Sequence, residues 1–258
     1  MTIFAVTNQK GGVGKTTVTA NIGGAVNSLG FRPLLIDADP QGYLTSAVGF
    51  NDAYTAEGDS LHDALLNPGG YDIRDLVHKH NEFDFIPANI DMFTLEQELV
   101  SAMQSRRRLT RLLEGINDWD LVLIDCPPSL GILTDNALLA AQNVLIPAEA
   151  EDTSIRALDL LFKQIDSLED SFGETIQERA LVVSNVDYPL DGEQQGMLGW
   201  FDENFGGYLP IYQVRNRAAI KRAWNSGVSV FHSDEECDQR DELQRIGQQL
   251  IDISEGER

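Results

Sequence analysis

The sequence predicts an α/β fold: a mostly parallel, doubly wound sheet with helices on both faces, in one domain spanning 1–258. Three observations lead there. Short apolar runs alternate with longer amphipathic segments from end to end. Two of the runs, Leu121-Val122-Leu123-Ile124 and Leu181-Val182-Val183, are apolar on both faces, as strands buried between helix layers must be. No repeat, low-complexity tract or Pro/Ser-rich linker interrupts the alternation. The expected strands are 3–6, 33–36, 83–86, 121–124, 144–146, 180–183 and 208–211. The expected helices are 15–29, 91–114, 130–141, 152–170, 216–226 and 238–253. Sheets of this kind carry their ligands at the carboxyl ends of the strands, which is where chemistry is to be sought.

Composition narrows the class. The 258 residues are 42% apolar and 23% charged, so the chain has enough apolar material for a core and is not disordered. Asp and Glu outnumber Lys and Arg 41 to 19, a formal charge of −22, and only five of the cations are lysine. An acidic, lysine-poor surface suits a protein kept soluble in concentrated salt, so a halophilic source is expected. Cys126 and Cys237 are too few for a disulfide framework or a four-cysteine metal site. No apolar run reaches the ~20 residues of a membrane span. The amino terminus lacks the basic and long apolar regions of a signal peptide, and the expected location is cytoplasmic.

The first strand runs into Lys10-Gly11-Gly12-Val13-Gly14-Lys15-Thr16-Thr17, and a helix follows at once. Glycines let backbone N–H groups close on phosphate oxygens without a Cβ in the way. In such a loop Lys15 reaches the β/γ-phosphates, the Thr16 hydroxyl can ligate Mg²⁺, and the helix amino end adds partial positive charge. The standard phosphate-loop pattern departs in one place: its first glycine is replaced by Gln9, and Lys10 is an additional cation.

The second strand ends in Asp37-Ala38-Asp39-Pro40-Gln41-Gly42, and alternation puts both carboxylates on one side. Two acids beside a phosphate loop repel a nucleotide unless Mg²⁺ or water lies between them. The run Leu121–Ile124 leads into Asp125-Cys126-Pro127-Pro128, where an acid at a strand's carboxyl end holds Mg²⁺ through water. Cys126 has no partner at metal spacing and reads as a small apolar spacer.

These motifs resemble the deviant Walker A loop and switch segments of the ParA/MinD family, and the likeness runs the length of the chain. The resemblance implies an Mg²⁺-dependent ATPase. ATP drives a face-to-face homodimer in which Lys10 reaches across to the partner's nucleotide. Asp39 then positions or activates the attacking water, Asp37 stands behind the metal, and Pro127, Pro128 and Gly131, after Asp125, resemble the switch that reads the γ-phosphate. A glutamate of the Glu149-Ala150-Glu151 segment is expected near the dimer interface. Asn185 falls where related folds meet the adenine edge, and the loop of Pro210 and Tyr212 is expected to cover the base.

Eight of the nineteen cations lie in two clusters, Arg106, Arg107, Arg108 and Arg111, and Arg215, Arg217, Lys221 and Arg222. The second lies in a stretch with no acid between Ile211 and Trp224 and resembles the family's segment for non-specific double-stranded DNA binding. The implied function is chromosome or plasmid partitioning: a nucleoid-associated ATP dimer released when a ParB-like partner stimulates hydrolysis. A MinD-like regulator that positions a protein cargo is the alternative. The acidic carboxyl-terminal segment disfavours membrane docking. With the phosphate loop starting at Lys10, no preceding sequence-specific DNA-binding module is expected. Widely separated cysteines disfavour a metal-cluster carrier.

Overall fold

A computed structural model describes residues 1–256. Eight strands form one sheet in the order β3-β4-β2-β5-β1-β6-β7-β8. They are β1 (Thr2–Val6), β2 (Pro33–Asp37), β3 (His78–Lys79), β4 (Asp84–Ile86), β5 (Leu121–Asp125), β6 (Asn143–Glu149), β7 (Gln177–Val186) and β8 (Ile211–Arg215). All neighbours are parallel except the two-residue β3, which runs antiparallel to β4. The doubly wound α/β expectation therefore holds.

Strand alternation sorts the core into two layers. Leu34, Ile36, Val122 and Ile124 face one side, together with Leu138 of α7 (Ile132–Ala141) and Leu158 of α8 (Thr153–Phe172). Leu35, Leu121 and Leu123 face the other, against Val18 and Ile22 of α1 (Lys15–Ser28) and Leu243 and Leu250 of α11 (Arg240–Gly256). On this second side Phe85 is fully buried and stacks on Phe50 at 5.4 Å. Phe85→Ala is expected to cost roughly 3–5 kcal/mol, measurable by chemical denaturation, because it replaces a fully buried ring with a cavity.

Four sequence expectations shift. The helix expected over 91–114 is interrupted into α5 (Met92–Leu99), a 3₁₀ turn at Ser105–Arg107 and α6 (Arg108–Leu113). The break is held by left-handed Gln104, and Asn136 Oδ1 accepts the Arg108 and Leu109 N–H groups. Short helices α2 (Tyr43–Ala47), α3 (Asn51–Tyr54) and α4 (Leu61–Leu66) fill a stretch given no element; only α4 had a sequence signal, the Ser60–Asp63 capping box. Helix α9 (Gly192–Phe205) was also missed: three glycines mask it, and only Met197, Phe201 and Phe205 mark its buried side. The strand expected over 208–211 begins instead at Ile211, where pairing with Leu181 starts. As an edge strand, half exposed, β8 carries polar residues that hide its period. Its N–H groups at Gln213 and Arg215 are taken by Glu242 Oε1 and Gln239 Oε1, at 3.3 and 2.8 Å.

Candidate functional site

The register of the central strands sets the site. Val6 pairs with Asp125, and Asp125 pairs with Asp37, so three strands end level and deliver two carboxylates to one edge. Residues 7–14 leave β1 at this edge and turn into α1. Gly12 and Gly14 hold φ of 81° and 77°, and a Cβ on Gly14 would press on the Ser184 side chain. Both positions therefore favour glycine. Gly11 and Gly12 are exposed, Val13 is fully buried as the loop's anchor, and Ser184 Oγ donates to the Val13 carbonyl at 2.6 Å. Thr16 and Thr17 lie half-buried in the first turn of α1.

Lys15 is buried, and its Nζ donates to the Lys10 carbonyl at 3.1 Å. Burial lowers its pKa, against the pull of Asp125 and Asp39. Lys10 turns the other way: Nζ donates to Glu149 Oε2 at 2.8 Å and Glu151 Oε2 at 2.5 Å. Burial opposes its charge, but the two glutamates outweigh that and hold its pKa above the ordinary value.

The three acids differ. Asp37 is wholly buried and saturated: Oδ1 accepts from the Asp39 N–H, and Oδ2 accepts from both the N–H and hydroxyl of Thr45, at 2.8 and 2.6 Å. Burial still pushes its pKa up to about 7, with the Thr45 hydrogen bonds opposing. Asp39 Oδ1 accepts from the Gln41 N–H at 2.9 Å; burial raises this carboxyl while Lys15 draws it down. Asp125 Oδ1 accepts from the Thr19 hydroxyl at 3.3 Å, whereas Oδ2 is buried with no hydrogen-bond partner. Burial pushes Asp125 well above the carboxylate range, and Asp37 adds to the push. An orphaned carboxylate oxygen beside Thr16 and two further acids is an environment that a divalent cation fits. Buried Cys126 makes a long contact to the Ile124 carbonyl and a hydrogen bond with Thr7. Thr19 and Thr45 were missed, although Thr19 sits one helical turn beyond Lys15 on the same face.

A cleft opens beside the loop, lined among others by Gly14, Thr17, Ser184, Asn185, Arg215 and Lys221. Asn185 holds φ of 56° at its mouth, and its amide donates to Glu149 Oε1 at 2.8 Å. Pro210 and Tyr212 do not cover this cleft. Because β8 starts at Ile211, both stand at its amino end, and the Tyr212 hydroxyl is spent on Gln249 of α11 at 2.5 Å. The β8 residues that do line the cleft, Val214 and Arg215, lie at its carboxyl end.

A family model described as an AAA domain matches residues 1–178. The chromosome partitioning protein ParA of Caulobacter vibrioides is 37% identical over 190 residues, covering 72% of this chain and 70% of that one. The chain belongs to the ParA/MinD family. An uncharacterized Mycobacterium tuberculosis protein is 36% identical over 206 residues, covering 79% of this ParA/MinD-family chain but only 64% of its own length. Cobyrinic acid a,c-diamide synthase of Mycobacterium smegmatis, solved with an ATP analogue and magnesium, superposes with a TM-score of 0.80 at 27% identity, covering 100% of this chain and 97% of that one. The family's P-loop NTPase architecture accounts for the layered sheet and the loop at its centre.

The basic residues are less free than the sequence suggests. Arg217 makes a two-pronged ion pair with Asp238 at 2.8 and 2.7 Å, and Arg222 pairs with Glu235 at 2.5 Å. The acid-free stretch thus meets acids that follow it in sequence. Arg215 packs its guanidinium 4.8 Å from the Tyr188 ring, and Lys221 has no acidic partner among the described residues. Of the other cluster, Arg106 and Arg107 pair with Asp135 and Glu174, and Arg108 binds backbone carbonyls. No helix among the described residues is long and apolar enough to cross a membrane.

Proposed function

We propose that this chain is an Mg²⁺-dependent partition ATPase whose ATP-bound homodimer binds duplex DNA without sequence preference and is released when a ParB-like protein stimulates hydrolysis. The observation that carries the reading is the pairing of a glycine-turned phosphate loop with an orphaned buried Asp125 oxygen at the same strand edge. The ligands of the Mycobacterium smegmatis structure, an ATP analogue and magnesium, support the same pair here.

The N–H groups of Gly11, Gly12, Val13 and Gly14 surround the phosphates, with Lys15 released from the Lys10 carbonyl to meet them. Thr16 and Asp125 would hold magnesium, with saturated Asp37 fixing the switch backbone behind them. Magnesium bound there would supply charge neutralisation for the β- and γ-phosphates. Asp39, with one oxygen tied to the Gln41 N–H, presents the other to the attacking water. Asn185 meets the base at the mouth of the cleft. Lys10, supplied by the partner subunit, completes charge compensation only in the dimer, which ties turnover to assembly.

Arg215, Arg217, Lys221 and Arg222 form the proposed DNA surface. Dimerisation doubles it, which matters for a chain of charge −22. Each phosphate contact steepens the log–log salt dependence by about 0.9. The test is a fluorescence-anisotropy titration with unrelated duplexes, with and without ATP. Wild type should bind all duplexes alike, and only with ATP. Arg215→Glu/Lys221→Glu should lose more affinity than Arg217→Glu/Arg222→Glu, whose cations are already neutralised by Asp238 and Glu235. Equal binding by wild type and both variants would remove this surface and favour a protein cargo.

A further inference from the structure

Lys10 is the one loop cation that does not point at the phosphate cradle, and the manner of its restraint is specific. Its ammonium spans two carboxylates, Glu149 at 2.8 Å and Glu151 at 2.5 Å, which flank the turn after β6. Its own N–H is pinned by Asn8 Oδ1 at 3.0 Å, and the Asn8 amide is anchored in turn on the Pro147 carbonyl at 2.7 Å. Glu149 is held from its other side: Oε1 accepts from Asn185 Nδ2 at 2.8 Å, and the same amide reaches the Gly12 carbonyl at 3.5 Å. The ring of contacts is therefore Lys10–Glu149–Asn185–Gly12, closing back onto the loop that contains Lys10.

We propose that Glu149 and Glu151 are positioning residues for Lys10, holding it within its own subunit until the cleft is filled, and that Asn185 sets the strength of that hold by fixing Glu149. The proposal rests on the reading of Lys10 as an interfacial cation. Three features support a clamp rather than incidental surface pairing. Lys10 and Glu149 keep only 21% and 19% of their side chains exposed, so solvent screens this pair less than a typical surface pair. Two carboxylates on one ammonium exceed what neutralisation needs, so the excess negative charge repels a polyphosphate arriving without a cation of its own. Asn185 lines the cleft, so a base that engages its amide withdraws the donor that orients Glu149. The carboxylate then keeps its charge but loses its fixed geometry, and Lys10 can be drawn to a richer anion, the partner's nucleotide.

The clamp predicts that Lys10 is chemically shielded in the nucleotide-free monomer. Amine acetylation followed by peptide mass spectrometry reads this directly, without reference to assembly. In Glu149→Gln/Glu151→Gln, Lys10 should be modified about threefold to tenfold faster than in wild type, while Lys163, on α8, reacts at an unchanged rate. Asn185→Ala should give an intermediate rate. Glu151→Gln alone, at the more exposed site, serves as the variant least able to disturb folding. The ATP concentration at half-maximal dimer, followed by light scattering, should fall severalfold in the double glutamine variant. An unchanged Lys10 labelling rate in all three variants overturns the clamp. So does a rise in the ATP midpoint, which would mean that the glutamates receive the partner subunit's lysine. If wild type stays monomeric at saturating ATP, the dimer reading fails, and the labelling rates still decide whether the clamp exists.

Discussion

Asp39→Ala should abolish turnover while leaving ATP bound, trapping the assembled dimer. The Asp39 carboxylate accepts its hydrogen bond from the Gln41 N–H, and Lys15 acts on it only through charge. Losing a positioned acid–base group costs roughly 10²–10⁴-fold in rate. Binding should change little, because the loop N–H groups and Lys15 are untouched, and removing one negative charge can only help an anionic ligand. Phosphate release and nucleotide affinity measured on one preparation separate the two effects. Wild-type turnover, or failure to bind ATP, would assign the water to another group.

Lys10→Ala should remove the ATP dimer and with it roughly 10³-fold or more of hydrolysis, the scale set by cations supplied in trans to phosphoryl transfer. The substitution also leaves Glu149 and Glu151 unpaired beside the loop. Monomeric nucleotide binding should therefore weaken as well as lose its assembly step. Light scattering with ATP and Mg²⁺ is the measurement, and a stable dimer of the variant would end the interfacial role. Lys10→Arg keeps the charge but changes its shape, and should restore assembly more than turnover.

The central strands and the phosphate loop were legible because each has a local cause. Strands apolar on both faces end in an acid, and glycines stand where the backbone must turn left-handed. What stayed hidden was set by distant partners. Lys10 shows no sign in sequence of Glu149, 139 residues away, as its partner. The acid-free run from Ile211 to Trp224 looks bare until Glu235 and Asp238 fold back onto it. Pro210 and Tyr212 stand away from the cleft because β8 begins later than the expected strand: shifting it by a few residues exchanges the end that lines the cleft for the end that does not. Asn185 was singled out by resemblance, and its left-handed backbone and its bond to Glu149 have no sequence signature.

The capping of β8 by α11 bears on how copies of this chain can meet. A parallel sheet that ends in an open strand invites a ninth from a neighbouring molecule, the route to filaments and insoluble aggregates. Here the outward N–H groups of Gln213 and Arg215 are already occupied by Glu242 and Gln239, so that border offers few hooks. At the opposite border β3 is two residues long and carries an exposed Lys79. With both flanks closed to strand addition, the strand-end face that carries Lys10 is left open for the proposed dimer. A variant such as Gln239→Ala/Glu242→Ala would reopen the flank, leaving ATP-independent aggregation to compete with reversible assembly.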